Sequence, residues 1–129
     1  MTYKLPKTPM ILAQGQIDFV AVGAATIPLF TTGNAPVAMT EFVWVGVDVT
    51  GFTLGWASTI GWNAPDYDNY SNNYLVNITT SGVVDVSGQP SSPSLVVPPN
   101  TTVTLKITSP DTTSTTDVQQ YFITGLELL

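Results

Sequence analysis

Catalysis near neutral pH needs side chains that can move a proton or offer a lone pair, and this 129-residue sequence holds few of them. It has no His and no Cys, so the commonest general base, thiolate nucleophiles, disulfides and thiolate zinc sites are all excluded. Two-carboxylate hydrolysis is the acid–base chemistry left open. Asp18, Glu41, Asp48, Asp66, Asp68 and Asp85 are candidate acids, but no spacing marks any two of them as a pair. The expectation is that the protein is not an enzyme and uses no cofactor.

Binding chemistry is better represented. The run Asp66-Tyr67-Asp68-Asn69 offers hard oxygen ligands of the kind calcium takes, but it lacks the EF-hand spacing and the closing Glu. It reads equally as a solvated turn rich in Asx hydrogen bonds, and no metal is assigned to it. Trp56, Trp62, Tyr67 and Tyr70 gather in or beside the polar insertion 59–73. Aromatic faces beside Asn and Asp suit sugar stacking. They also suit a protein–protein contact, where Trp and Tyr concentrate binding energy, or a plug for one end of a core. Three sequons, at Asn69, Asn77 and Asn100, match the glycosylation pattern; chance explains them in a chain so rich in Asn and Thr.

Charge narrows the partners. Three cations, Lys4, Lys7 and Lys106, face nine acids, for a net charge of −6. Duplex nucleic acid and anionic membranes both demand more positive charge than this. Only 9 % of residues are charged against 43 % hydrophobic, where soluble domains usually carry roughly 25 % charged. A surface so poor in charge defends badly against association and suits life inside an assembly. No apolar run approaches the roughly 20 residues of a membrane span. The N-terminal stretch, broken by Pro6 and Pro9, is not expected to be a signal peptide.

The elements that would hold these residues are strands. Residues 37–50 alternate strictly, with Val43, Val45, Val47 and Val49 on one face and Phe42, Trp44, Gly46 and Asp48 on the other. The valine face is expected to meet the core, together with Val103, Leu105, Ile107 and Phe122. So long a strand belongs inside a sheet. Residues 16–22 alternate through Ile17, Phe19 and Ala21; residues 26–32 hold Pro28, which demands a sheet edge or a bulge. Residues 52–58 place Phe52, Leu54 and Trp56 together, and 74–80 place Tyr74, Val76 and Ile78 together. Residues 83–86 and 101–108 are further strands, and 109–117 a polar loop. The segment 118–128 puts Phe122, Leu126 and Leu128 on one face, with Gly125 at a bulge. Short strands at this spacing predict an all-β, single-domain antiparallel β-sandwich or jelly roll of about eight strands. Residues 16–129 form the sandwich. Residues 1–15 form an extended N-terminal arm whose Lys4, Leu5, Lys7, Met10, Ile11 and Leu12 are candidate docking residues, either for a neighbour's acidic surface or for the arm's own domain.

The order of features has a counterpart in a known group. ATIPLFTT at 25–32 precedes the long valine strand, LVVPPNTTVTLKI at 95–107 turns on prolines into an alternating strand, and YFITGLELL closes the chain. This layout resembles the small β-sandwich structural proteins of tailed bacteriophages, the capsid cement (decoration) proteins and related tail or fibre modules. The resemblance implies a virion component on the capsid surface or tail. It implies self-association as a trimer or dimer, contact with the major capsid protein, and no catalytic residues. The rival expectation is a carbohydrate-binding module that uses the aromatic loop.

Overall fold

The computed structural model describes residues 10–51, 55–87 and 96–128. Eight strands form two four-stranded antiparallel sheets packed face to face. The first sheet, A, has the order β1-β8-β3-β6, from β1 (Met10–Asp18), β8 (Ser114–Glu127), β3 (Val37–Gly51) and β6 (Val84–Ser87). The second sheet, B, has the order β2-β7-β4-β5, from β2 (Thr26–Thr31), β7 (Thr102–Ser109), β4 (Trp56–Gly61) and β5 (Ser71–Val76). The predicted all-β sandwich is the observed fold. β3 lies inside its sheet as expected, between β8 and β6. β2 is an edge strand and shifts register between Pro28 and Phe30, because a proline can neither donate to a ladder nor sit in a central strand.

The long strand turns its other face inward. Phe42 and Trp44 are fully buried, whereas Val43 and Val45 are half-buried and Val47 is exposed. Both faces of β3 are apolar, so alternation alone identifies a strand without saying which side is the core. The aromatic side decides, since Phe and Trp each remove 150–250 Å² from water, more than a valine can. A register shift between Gly46 and Asp48 then reverses the phase, and Val49 is buried. Gly46 faces inward beneath the chain that follows β5: a Cβ there would lie 2.8 Å from the Thr80 carbonyl oxygen and 2.9 Å from Ile78 Cγ2.

β8 reverses expectation in the same way. Tyr121 and Ile123 are buried, and Phe122 lies half-buried on the outer face opposite Val43. Gly125 sits beside shifts in both neighbouring strands, between Ile11 and Ala13 on β1 and between Met39 and Glu41 on β3. A side chain at Gly125 would strike Leu12 Cδ1 and the Ala38 carbonyl, each 2.6 Å from its Cβ position.

β1 ends sooner than its alternation predicts. Phe19–Val22 form a helical turn, α1, capped where the Asp18 carboxylate accepts a hydrogen bond from the Ala21 amide at 3.1 Å. The turn swings Phe19 into the core, where it stacks on Trp56 at 4.2 Å, and leaves Ala21 exposed. Sheet B contributes Val103, Leu105 and Ile107 from β7 and Tyr74 and Val76 from β5; the strand expected over 74–80 ends at Val76, and Ile78 is buried from the chain that follows it. Trp44 Nε1 donates to the Tyr74 hydroxyl at 3.0 Å across the sandwich, so this tryptophan keeps its one polar group bonded, whereas Trp56 Nε1 is buried without a partner. Phe52 and Leu54 lie outside the described residues.

Candidate functional site

The aromatic residues singled out in the sequence fall into two environments. Trp56 belongs to the core: it is buried, stacked on Phe19 and edge-on to Trp44 at 4.9 Å. Tyr70 is also buried, against Phe42 at 5.9 Å, and desolvation pushes its phenol up to about 12. Trp62 is half-buried and leans on Tyr70 at 6.5 Å; Tyr67 is half-buried in the loop. The loop between β4 and β5 is tied from within. The Asn69 side-chain oxygen accepts from the Trp62 amide at 2.8 Å and the Asn63 amide at 3.1 Å, and Asp66 O accepts from the Thr59 hydroxyl at 2.8 Å. Asp66 and Asp68 are exposed on it. What the loop offers a partner is therefore Trp62 and Tyr67, flanked by amides and two carboxylates.

Of the arm residues, Lys4, Leu5 and Lys7 lie outside the described residues. Met10, Ile11 and Leu12 begin β1, where Met10 and Ile11 pair with β8 and Leu12 falls at the register shift, so the expected boundary between residues 15 and 16 falls inside one strand. Met10 and Ile11 are exposed, while Leu12 packs against the core.

The sequence reading passed over the outer face of sheet A. Val43 lies opposite Phe122 on one side and Val86 on the other, and Val45 lies opposite Gln120 and Val84. Two cross-strand rows result, Gln14–Phe122–Val43–Val86 and Gln16–Gln120–Val45–Val84, with no charge in either. Val84 is 56 % exposed, Val86 57 % and Val47 43 %. Acids stand at the two ends of this face, Glu41 at one and Asp18 and Asp48 at the other, all exposed. Around it, threonine hydroxyls bond across strands, as in Thr50 to Thr116 at 2.7 Å and Thr40 to Thr124 at 3.1 Å. A signal for this face was present: once Phe42 and Trp44 claim the core, the intervening valines have to face outward.

A second overlooked cluster lies where β8 begins. Asp117 and Gln119 are 0 % exposed and Asp111 5 %. The Asp111 side chain accepts from the Thr113 and Ser114 amides at 2.9 and 3.1 Å and from the Ser114 hydroxyl at 2.7 Å. Asp117 accepts from Gln119 Nε2 at 2.7 Å through Oδ1, whereas Asp117 Oδ2 and Gln119 Oε1 are buried without a partner. Burial, with the Asp111 carboxyl group in hydrogen-bond reach, pushes the Asp117 carboxyl up to about 7. The segment reads as a polar loop in sequence, yet Asp117 and Gln119 share the inward phase of Tyr121 and Ile123.

Among the described residues no pocket opens on the surface, and no helix is long and apolar enough to cross a membrane. No protein-family model matches the chain, and no curated protein matches it. Among solved structures it is similar to a chain of the cyanophage Pam1 capsid asymmetric unit, with a TM-score of 0.55 and 11 % identity, covering 100 % of this chain and 91 % of that one. At that identity the likeness is one of fold.

Proposed function

We propose that this chain is a non-enzymatic structural protein of a phage virion, and most specifically a capsid cement, or decoration, protein. It associates with copies of itself as a trimer or dimer and fastens to the major capsid protein through the outer face of sheet A. The observation that carries this reading is that face: Val43, Val45, Val47, Val84, Val86 and Phe122 form one uncharged apolar surface on a chain with few charges anywhere. Contiguous exposed apolar surface marks an interaction site. The fold likeness to a chain of a phage capsid assembly supports the setting.

The mechanism is mechanical. A sandwich whose core is a tilted and stacked aromatic network presents its outer valine surface to a neighbouring subunit. Fully burying a valine contributes about 1.5–3 kcal/mol. Repeating a few such contacts around a symmetric lattice gives firm attachment without any one strong site. The test is co-sedimentation of the full chain with assembled particles, beside its self-association by sedimentation velocity. Replacing Val84 and Val86 together by Asp should leave the melting temperature nearly unchanged while abolishing attachment. A double variant that attaches like the parent protein would overturn the assignment of this face.

A second reading is carbohydrate binding at the β4–β5 loop, favoured by the half-exposed Trp62 and Tyr67 beside Asn63, Asp66 and Asp68. A sugar titration lost on Trp62→Ala, with particle attachment absent in the parent protein, would select it.

A further inference from the structure

The outer face of sheet A is uncharged in its middle and acidic at both ends. Glu41 is exposed at one end, opposite Thr124; Asp18 and Asp48 are exposed at the other, on either side of Val118. The two uncharged rows with the valines lie between. Thr124 and Val118 are six residues apart on β8, which sets the acidic ends about 20 Å apart. No cation answers these acids among the described residues. Lys106 is the one cation there, and it stands on β7 in sheet B, where its Nζ donates to the Pro65 carbonyl at 3.1 Å. Nor does the fold need the three charges. Asp18 Oδ1 accepts from the Ala21 amide and Asp48 Oδ1 from the Thr116 hydroxyl, both at 3.1 Å, and an amide oxygen would accept either bond equally well. An exposed carboxylate is comfortable in water, but at the border of a covered surface it has to meet a cation or stay wet.

On the reading that this face docks on the capsid, we propose that the capsid protein meets it with an apolar strip bracketed by two sets of Lys or Arg side chains about 20 Å apart. Charge complementarity selects that occupant over a second copy of this chain. The same face of a second copy offers no cation. Lys4 and Lys7 are three residues apart in the sequence, so their Cα atoms are at most about 11 Å apart, roughly half the separation required. The two ends lie farther apart than the screening length of about 10 Å at 0.1 M salt, so they act independently. The valine rows supply contact area but tolerate sliding. A slip of two residues along the strands moves the partner about 7 Å and withdraws both sets of cations together. The bracket therefore guides encounter and fixes register, while the valines hold the complex once it has formed.

The experiment is the kinetics of attachment of the full chain to assembled particles from about 0.05 to about 0.5 M salt. It compares the parent with Glu41→Gln, with the pair Asp18→Asn and Asp48→Asn, and with all three changes together. These substitutions keep size and acceptor oxygens, and Asn caps a helical turn as Asp does, so melting temperatures should match. The parent should associate more slowly as salt rises. At low salt each end's variant should associate several-fold more slowly, and the two effects should multiply to about tenfold in the triple variant, with dissociation little changed. The triple variant should also lose most of the salt dependence. A triple variant with the parent's rate and salt slope would overturn the bracket. If replacing Val84 and Val86 by Asp still abolishes attachment in that case, the docking face stands and only its charge complement is wrong. A parent protein that does not attach to particles overturns both. Faster association of the neutralised variants would show an acidic partner surface and overturn the proposal. So would a change in self-association by sedimentation velocity with attachment unaltered, which would make a second copy the occupant.

Discussion

The outer faces of the two sheets are built from the same kind of strand and finished differently. On sheet B, Thr26, Lys106 and Thr59 stand in one cross-strand row, and Thr31 and Thr102 bond through their hydroxyls at 2.8 Å. On sheet A the corresponding rows hold Gln14, Phe122, Val43 and Val86, then Gln16, Gln120, Val45 and Val84, apolar on the β3–β6 side. Water satisfies the first surface, whereas on the second the valines of β3 and β6 offer it no partner. Leu75 on β5 is a lone exposed apolar side chain, of a kind common on any protein; the valine rows are contiguous. The difference separates a face finished for solvent from a face that another molecule has to complete.

The largest effect tests which side of β3 is interior. Trp44→Ala should cost about 3–5 kcal/mol, since it empties a site packed by Phe19, Trp56 and Tyr121 and removes the hydrogen bond from Trp44 Nε1 to the Tyr74 hydroxyl. Val45→Ala, one position along on the outer face, should cost far less. Denaturant unfolding of both measures the gap, and a larger loss at Val45 would reverse the assigned register. Next in size is Gly46→Ala. The new methyl would meet a backbone oxygen, which cannot swing aside as a flexible side chain would, so a loss of about 1–3 kcal/mol is expected. A neutral result would mean that the chain at Ile78–Thr80 gives way freely.

These residues also show how far the sequence could be read. Alternation marked most of the strands, Pro28 marked an edge, and Val103, Leu105 and Ile107 pointed inward without ambiguity because threonines and a lysine alternate with them. β3 defeated the same logic: when both faces are apolar, the choice depends on which side chains the opposing sheet can accommodate, and that is a tertiary property. β8 defeated it in the opposite sense, because Asp117 and Gln119 look like solvent-facing residues and are buried. Phe19 left its strand for a helical turn because the Asp18 side chain offers the Ala21 amide a local partner that competes with the ladder. Trp56, carried on β4, and Tyr70, at the end of the loop just before β5, are in the core, as the plug reading of these aromatics has it, and Trp62 and Tyr67 stay partly exposed on the loop.

The smallest effect on stability is also the sharpest on function. Val86→Asp and Thr108→Asp each add one negative charge to an exposed strand position, the first on the outer face of sheet A and the second on that of sheet B. Neither position is part of the core, so each should shift stability by no more than about 0.5 kcal/mol. Because the added charge is the same, any general repulsion from an acidic partner acts on both alike. Only the sheet A variant places its carboxylate within the apolar rows, where docking would strip it of water. Val86→Asp should therefore weaken attachment to particles by tenfold or more, on the order of 1.4 kcal/mol, while Thr108→Asp attaches nearly as the parent does. Equal weakening by both would mean that net charge governs attachment. Loss at Thr108 alone would move the docking surface to sheet B.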